Sequence, residues 1–147
     1  GRLKMKKIIK VFLIITLVLT ICGCSAKSID EKKFCKYAAE ISSGKTKGKI
    51  VDLRALDQYS EAHIYSSYSY DLNKHQQEDI KAWLNTYLRE GRIVLLIDDG
   101  SGRAQEVAQY LKKYKTYYYE NGYDTLKQSS YFQEQLIEVS GSDDCGC

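Results

Sequence analysis

The chain has 147 residues, with 22 Lys+Arg against 19 Asp+Glu and a formal net charge of +3. Five of those bases and none of the acids precede Cys24, so from Cys24 onward 17 bases face 19 acids and the net charge is −2. With no stripe of Lys and Arg interleaved with aromatics, nucleic acid is excluded as an expected partner. The stretch beyond Cys24 is long enough for one compact domain but not for two.

The first residues read as a targeting segment. Met5 is the expected start, followed by the positive charges of Lys6, Lys7 and Lys10. Residues 11–21 (VFLIITLVLTI) are an uncharged apolar run, short for a bilayer span and typical of the core of a signal peptide. The run ends in Ile21-Cys22-Gly23-Cys24, which resembles the lipobox of bacterial lipoproteins: aliphatic at −3, small at −1, cysteine at +1. A thiol at +1 forms the thioether to diacylglycerol, and several acyl chains on one cysteine make a durable anchor. The resemblance implies a signal peptide over residues 1–23, lipidation of Cys24, a short polar tether over residues 24–30, and a membrane as partner. The plainer alternative is an N-terminal membrane anchor in which Cys22 and Cys24 are incidental.

Beyond the tether, Phe34, Tyr37, Ala38 and Ile41 fall at helical spacing and predict an amphipathic helix over residues 31–41. Residues 42–49 read as a loop, residues 50–53 as a strand running into Arg54, and residues 57–62 as one helical turn before His63 and Ile64. An alternating stretch comes next, over residues 65–72. Residues 76–90 carry the clearest helical stripe, Ile80, Trp83, Leu84, Tyr87 and Leu88, with Gly91 as a stop. The continuous apolar run at residues 93–97 (IVLLI) predicts a strand buried on both faces of a parallel sheet. Asp98-Asp99-Gly100-Ser101-Gly102 turns into a helix over residues 103–113. A strand over residues 116–119, a turn at Asn121-Gly122 and a helix over residues 123–127 complete the pattern, while residues 131–139 read equally as helix or edge strand. The domain is expected over residues 31–139, with a Cys-containing tail at 140–147. Strand and helix alternate, so the fold class is α/β, a small parallel sheet flanked by helices.

Three blocks resemble the rhodanese-like (sulfurtransferase) domain over about residues 49–131. Asp52, Arg54, Tyr59, His63 and Ile64 sit at the spacing of the first block. The stretch IVLLIDDGSGRAQEVAQYL resembles the strand, active-site loop and helix of the second, with Arg103 closing the loop. TYYYENGYDTL is similar to the third. The resemblance implies a loop, Asp98, Asp99, Gly100, Ser101, Gly102 and Arg103, whose N–H groups cradle an anion at a helix N-terminus. In active relatives a cysteine opens that loop and carries sulfur as a persulfide. Here the corresponding residue is Asp98, and a shift of one residue brings only Ile97 or Asp99. A carboxylate forms no persulfide, so thiosulfate sulfurtransferase activity is not expected, nor is the phosphatase chemistry that related folds perform with the same cysteine. Asp98 is expected to fill the cradle from within and cap the next helix, in preference to an acid–base or metal role for the Asp98/Asp99 pair. Asp52, Arg54 and His63 are expected to stabilise strand ends and the loop.

Three cysteines remain: Cys35, Cys145 and Cys147. Cys35 could pair with a tail cysteine in a disulfide-permissive compartment, Cys145-Gly146-Cys147 could form a strained and easily reduced ring, or the tail could bind a soft metal, for which it lacks four spaced ligands. No metal and no cofactor are expected. Two functions remain open: a non-catalytic, membrane-anchored binding module for an unknown protein or small anion, or a thiol-redox or sulfur-handling protein working through Cys145 and Cys147.

Overall fold

The computed structural model of the chain describes residues 26–133 and 136–139. The signal-peptide reading, Cys24 and the tail with Cys145 and Cys147 lie outside the described residues.

Seven strands and five α-helices occur among the described residues. The strands are β1 (Lys27–Ser28), β2 (Gly48–Asp52), β3 (Ala62–Ile64), β4 (Tyr68–Ser69), β5 (Ile93–Ile97), β6 (Lys115–Tyr118) and β7 (Ile137–Val139). The helices are α1 (Glu31–Ser42), α2 (Leu56–Glu61), α3 (Ile80–Asn85), α4 (Arg103–Ala108) and α5 (Gly122–Lys127). Five strands make one sheet in the order β1-β6-β5-β2-β4, every neighbouring pair parallel. β3 and β7 pair antiparallel in a separate small sheet.

The apolar run of β5 explains the arrangement. With neither face polar, it is stable only between two layers, and Val94 to Ile97 are fully buried. Alternation along the strand sends Val94 and Leu96 to a layer with Val51, Ile80, Leu84, Val107 and Leu111. Leu95 and Ile97 go to the opposite layer with Ile50, Phe34, Ala38, Tyr123 and Leu126. Helices α3 and α4 therefore cover one face, α1 and α5 the other. The expected α/β architecture with a parallel sheet is what the chain adopts.

Asp30 begins α1 by accepting a hydrogen bond from the Lys33 N–H at 2.7 Å. The helix buries Phe34, Cys35 and Ala38. The segment expected to be a tether is partly structural: Lys27 and Ser28 pair with Tyr117 and Tyr118, making β1 the sheet edge. Short polar strands carry no hydrophobic pattern, and this one is held by backbone pairing alone.

The helix expected over residues 76–90 is a 3₁₀ turn, Gln77–Asp79, and then only α3. It stops because Asn85 and Thr86 turn to other partners. Asn85 receives the hydroxyl of Tyr114, and the Thr86 hydroxyl donates to the Trp83 carbonyl at 2.7 Å. The helix expected over 103–113 likewise tightens into a 3₁₀ turn at Gln109–Leu111. The alternating stretch at 65–72 contributes only β4, because Ser66 takes a left-handed φ of 63° and breaks the extended run. The undecided segment at 131–139 ends in β7.

Cys35 is 5% exposed, and burial, reinforced by the charge of Glu31, pushes its thiol up to about 11. The protonated thiol is a poor nucleophile. At pH 8, iodoacetamide should alkylate Cys35 roughly 100-fold more slowly than free glutathione, with the rate rising as pH approaches 11; peptide mass spectrometry measures this. Labelling at the rate of a free thiol would contradict the packing described.

Candidate functional site

β5 delivers Asp98 to the C-terminal edge of the sheet, where open α/β sheets bind ligands. Asp98 is 2% exposed and its carboxylate folds back into the loop that it opens. One oxygen accepts the Gly100 N–H at 2.7 Å and the other accepts the Ala104 N–H at 2.8 Å. Gly100 and Gly102 make the turn possible with φ of 88° and 87°, a conformation that a side chain would strain. Asp99 stands outside the loop and accepts the Ser101 N–H at 3.1 Å. Hydrogen bonding from the Ser101 hydroxyl holds its carboxyl below the usual carboxylate range, against partial burial and with help from the Ser101 N–H and Arg103. Arg103 closes the loop and donates to the Leu72 carbonyl at 3.1 Å.

A second set of groups supports this loop from below. Arg54 pairs with Asp52 through its Nε at 3.0 Å and 3.1 Å and its Nη2 at 2.8 Å, and the same Nη2 donates to the Ala62 carbonyl at 2.8 Å. Its guanidinium carbon lies 3.7 Å from the centre of the Tyr123 ring. The Tyr123 N–H in turn donates to the Asp98 carbonyl at 2.8 Å. Gly122, with φ of 81°, lets the two loops touch; a Cβ there would collide with Gly100 N and come within 2.8 Å of Gly100 Cα. The structure thus brings Asp52, Arg54 and the 98–103 loop together. His63 lies in β3, stacked on Tyr59 of α2 at 3.8 Å, with Nδ1 2.7 Å from the Tyr59 carbonyl.

Asp71 joins this framework without having been singled out from the sequence. It is buried, accepts the Leu56 N–H at 3.0 Å and the Asn73 N–H at 2.8 Å, and so ties the start of α2 to the segment after β4. Burial raises its pKa, but those N–H bonds and Lys74 outweigh it and the net shift is downward. The Asp-Leu-Asn turn was the available signal.

Two open cavities flank the loop. One of about 270 Å³ is lined by Asp98, Ser101, Gln105, Tyr118 and Glu120. The other, about 470 Å³, is lined by Asp30, Glu31, Tyr119, Glu120 and Asn121. No group of three or more potential metal ligands clusters among the described residues.

A sequence model of the rhodanese-like domain matches residues 36–129, well over half of the chain. The chain belongs to the rhodanese-like family. Solved structures agree on the fold. A rhodanese-like domain from Anabaena sp. has a TM-score of 0.55 at 13% identity, over 84% of each chain. A full-length protein from Lactobacillus plantarum has a TM-score of 0.54 at 12% identity, over 88% of this chain and 97% of that one. A Bacillus halodurans protein gives 0.50 at 14% identity, over 78% of each chain. No curated protein matches significantly.

Replacing Asp98 removes the acceptor for two loop N–H groups, of which that of Ala104 is buried, and one buried orphan costs about 1–3 kcal/mol. Asp98→Ala should lower the urea midpoint of unfolding by a corresponding amount, whereas Asp99→Ala, at an exposed position, should change it little. Equal effects at both positions would contradict the interior role of Asp98.

Proposed function

We propose that this chain is a lipid-anchored envelope protein whose rhodanese-like domain binds a partner and does not transfer sulfur. The observation that carries this reading is the pair of hydrogen bonds from Gly100 N–H and Ala104 N–H to the Asp98 carboxylate. By the resemblance of its loop to the family's second block, Asp98 takes the position where active relatives carry the persulfide-forming cysteine. It supplies the negative charge that the cradle would otherwise take from a substrate or a persulfide anion. The loop is then complete without a ligand. A carboxylate there has no route to a covalent sulfur intermediate, because no S–S bond can form on it.

With the cradle filled from within, the reading favours a protein partner over a free small anion. Such a partner would meet the rim formed by Asp99, Ser101, Gln105 and Glu120. Anchoring rests on the ordered sequence of basic start, apolar run and Ile21-Cys22-Gly23-Cys24. No described helix is long and apolar enough to cross a membrane. The anchor is tested by the mass of the mature N-terminal peptide, expected to begin at Cys24 with a thioether-linked diacylglycerol. Retention of residues 1–23 with an unmodified Cys24 would overturn it.

The catalytic part is tested on the full chain with thiosulfate and cyanide, where thiocyanate formation should equal background and stay there in Asp98→Asn. Turnover abolished by Asp98→Asn would refute the reading. Turnover that persists in Asp98→Asn but disappears in Cys145→Ser/Cys147→Ser would move the chemistry to the tail and replace the binding reading with sulfur handling.

A further inference from the structure

We propose that the N-terminal edge of the parallel sheet is a docking face for an anionic lipid bilayer, the one that holds Cys24. The proposal rests on the lipid-anchor reading above and adds a surface and an orientation to it. In an all-parallel sheet every strand begins at one edge and ends at the other. Gly48, Ile93 and Lys115 lie level in register at the beginning. The entry turns of β5 and β6 are tied together by the Gly91 N–H on the Lys113 carbonyl at 2.8 Å and the Lys115 N–H on the Arg92 carbonyl at 2.9 Å. Arg92, Lys112, Lys113 and Lys115 stand exposed at these turns, and Lys47 stands exposed at the entry of β2.

The acids at this edge are few and engaged. Glu90 lies 3.3 Å from Lys81, and Glu40 lies 4.0 Å from Lys45. At the opposite edge Asp99 and Glu120 stand exposed beside the buried Asp98 and Asp30 begins α1, interspersed with the exposed bases Lys32, Lys33 and Lys74. The chain from Cys24 onward has a net charge of −2, so the basic edge reflects segregation of charge, not an excess of it.

The chain also enters at that edge. Lys27 pairs with Tyr117, two residues along from Lys115, so β1 starts on the Lys115 side of its pairing with β6. Cys24 precedes Lys27 by three residues, a reach of at most about 10 Å. A lipid on Cys24 therefore keeps the entry edge toward the bilayer, where bases that come within about a Debye length of the headgroups, roughly 8 Å at physiological salt, feel an anionic leaflet. Each Lys or Arg brought against an anionic leaflet strengthens attachment about fivefold. The 98–103 loop, at the other end of the strands, then faces away from the bilayer.

Amine acetylation of the full chain, reconstituted into vesicles and read by peptide mass spectrometry, tests this. In vesicles of phosphatidylcholine mixed with phosphatidylglycerol, Lys47, Lys112, Lys113 and Lys115 should label at least about fivefold more slowly than in phosphatidylcholine alone. High salt should abolish the difference. Lys74, exposed beyond β4 near the loop edge, serves as the internal control and should label equally in both. Arg92→Gln should raise the labelling of the lysines in anionic vesicles by about fivefold. Equal labelling in the two vesicle types would overturn the proposal, as would protection of Lys74 in place of the entry-turn lysines. Equal protection by soluble polyphosphate in neutral vesicles would overturn it too, assigning the face to an anionic polymer. Co-flotation with neutral vesicles and the mass of the N-terminal peptide depend on none of these bases, so failure of the anchor and failure of docking are read separately.

Discussion

The buried guanidinium of Arg54 is the point at which several parts of this domain meet. A cation with so little exposure is tolerable only if its donors are matched, and here Asp52 and the Ala62 carbonyl accept from it. Its flat face then covers the ring of Tyr123, whose backbone N–H holds the Asp98 carbonyl. One side chain thus links the end of β2, the beginning of β3, the start of α5 and the loop after β5. Lysine could not replace it, because a point charge offers neither the fork for Asp52 nor the plane for Tyr123. The position of the loop relative to the sheet depends on this contact.

The loop itself is closed by its own carboxylate. In a cradle of backbone N–H groups an anion is stabilised by fixed dipoles, and the first residue of the loop decides whether that anion is a visitor or a resident. Asp98 makes it a resident. The surface built around it, with two cavities sharing Glu120, is still available for recognition.

Much of this was legible in the sequence where hydrophobic pattern and motif coincide. The unbroken IVLLI run could only be a central strand, and Asp-Asp-Gly-Ser-Gly before an amphipathic segment could only be a loop entering a helix. The Asp98 cap came from placing an acid at the start of that loop. Other elements were invisible for physical reasons. β1 has two polar residues and exists because β6 offers it an open edge, a tertiary fact. The stripe over residues 80–88 is helical in period, yet the backbone leaves the helix at Asn85 because Tyr114, distant in sequence, takes its side chain. Asp71 was half hidden: its turn onto the Asn73 N–H is local, but the Leu56 N–H reaches it only in the fold.

The pairing of β1 with β6 has a consequence in time. Lys27 meets Tyr117 across nearly the whole domain, and β2 must wait for β5. No strand of the main sheet can complete its pairing with the residues immediately after it, and such non-local order makes folding slow. A chain emerging from its N-terminus, whether from a ribosome or through a membrane pore, holds no finished sheet until β6 has appeared. Within the main sheet the first strand waits longest for its neighbour, so Lys27 and Ser28 stay unpaired until almost all of the sheet has been made.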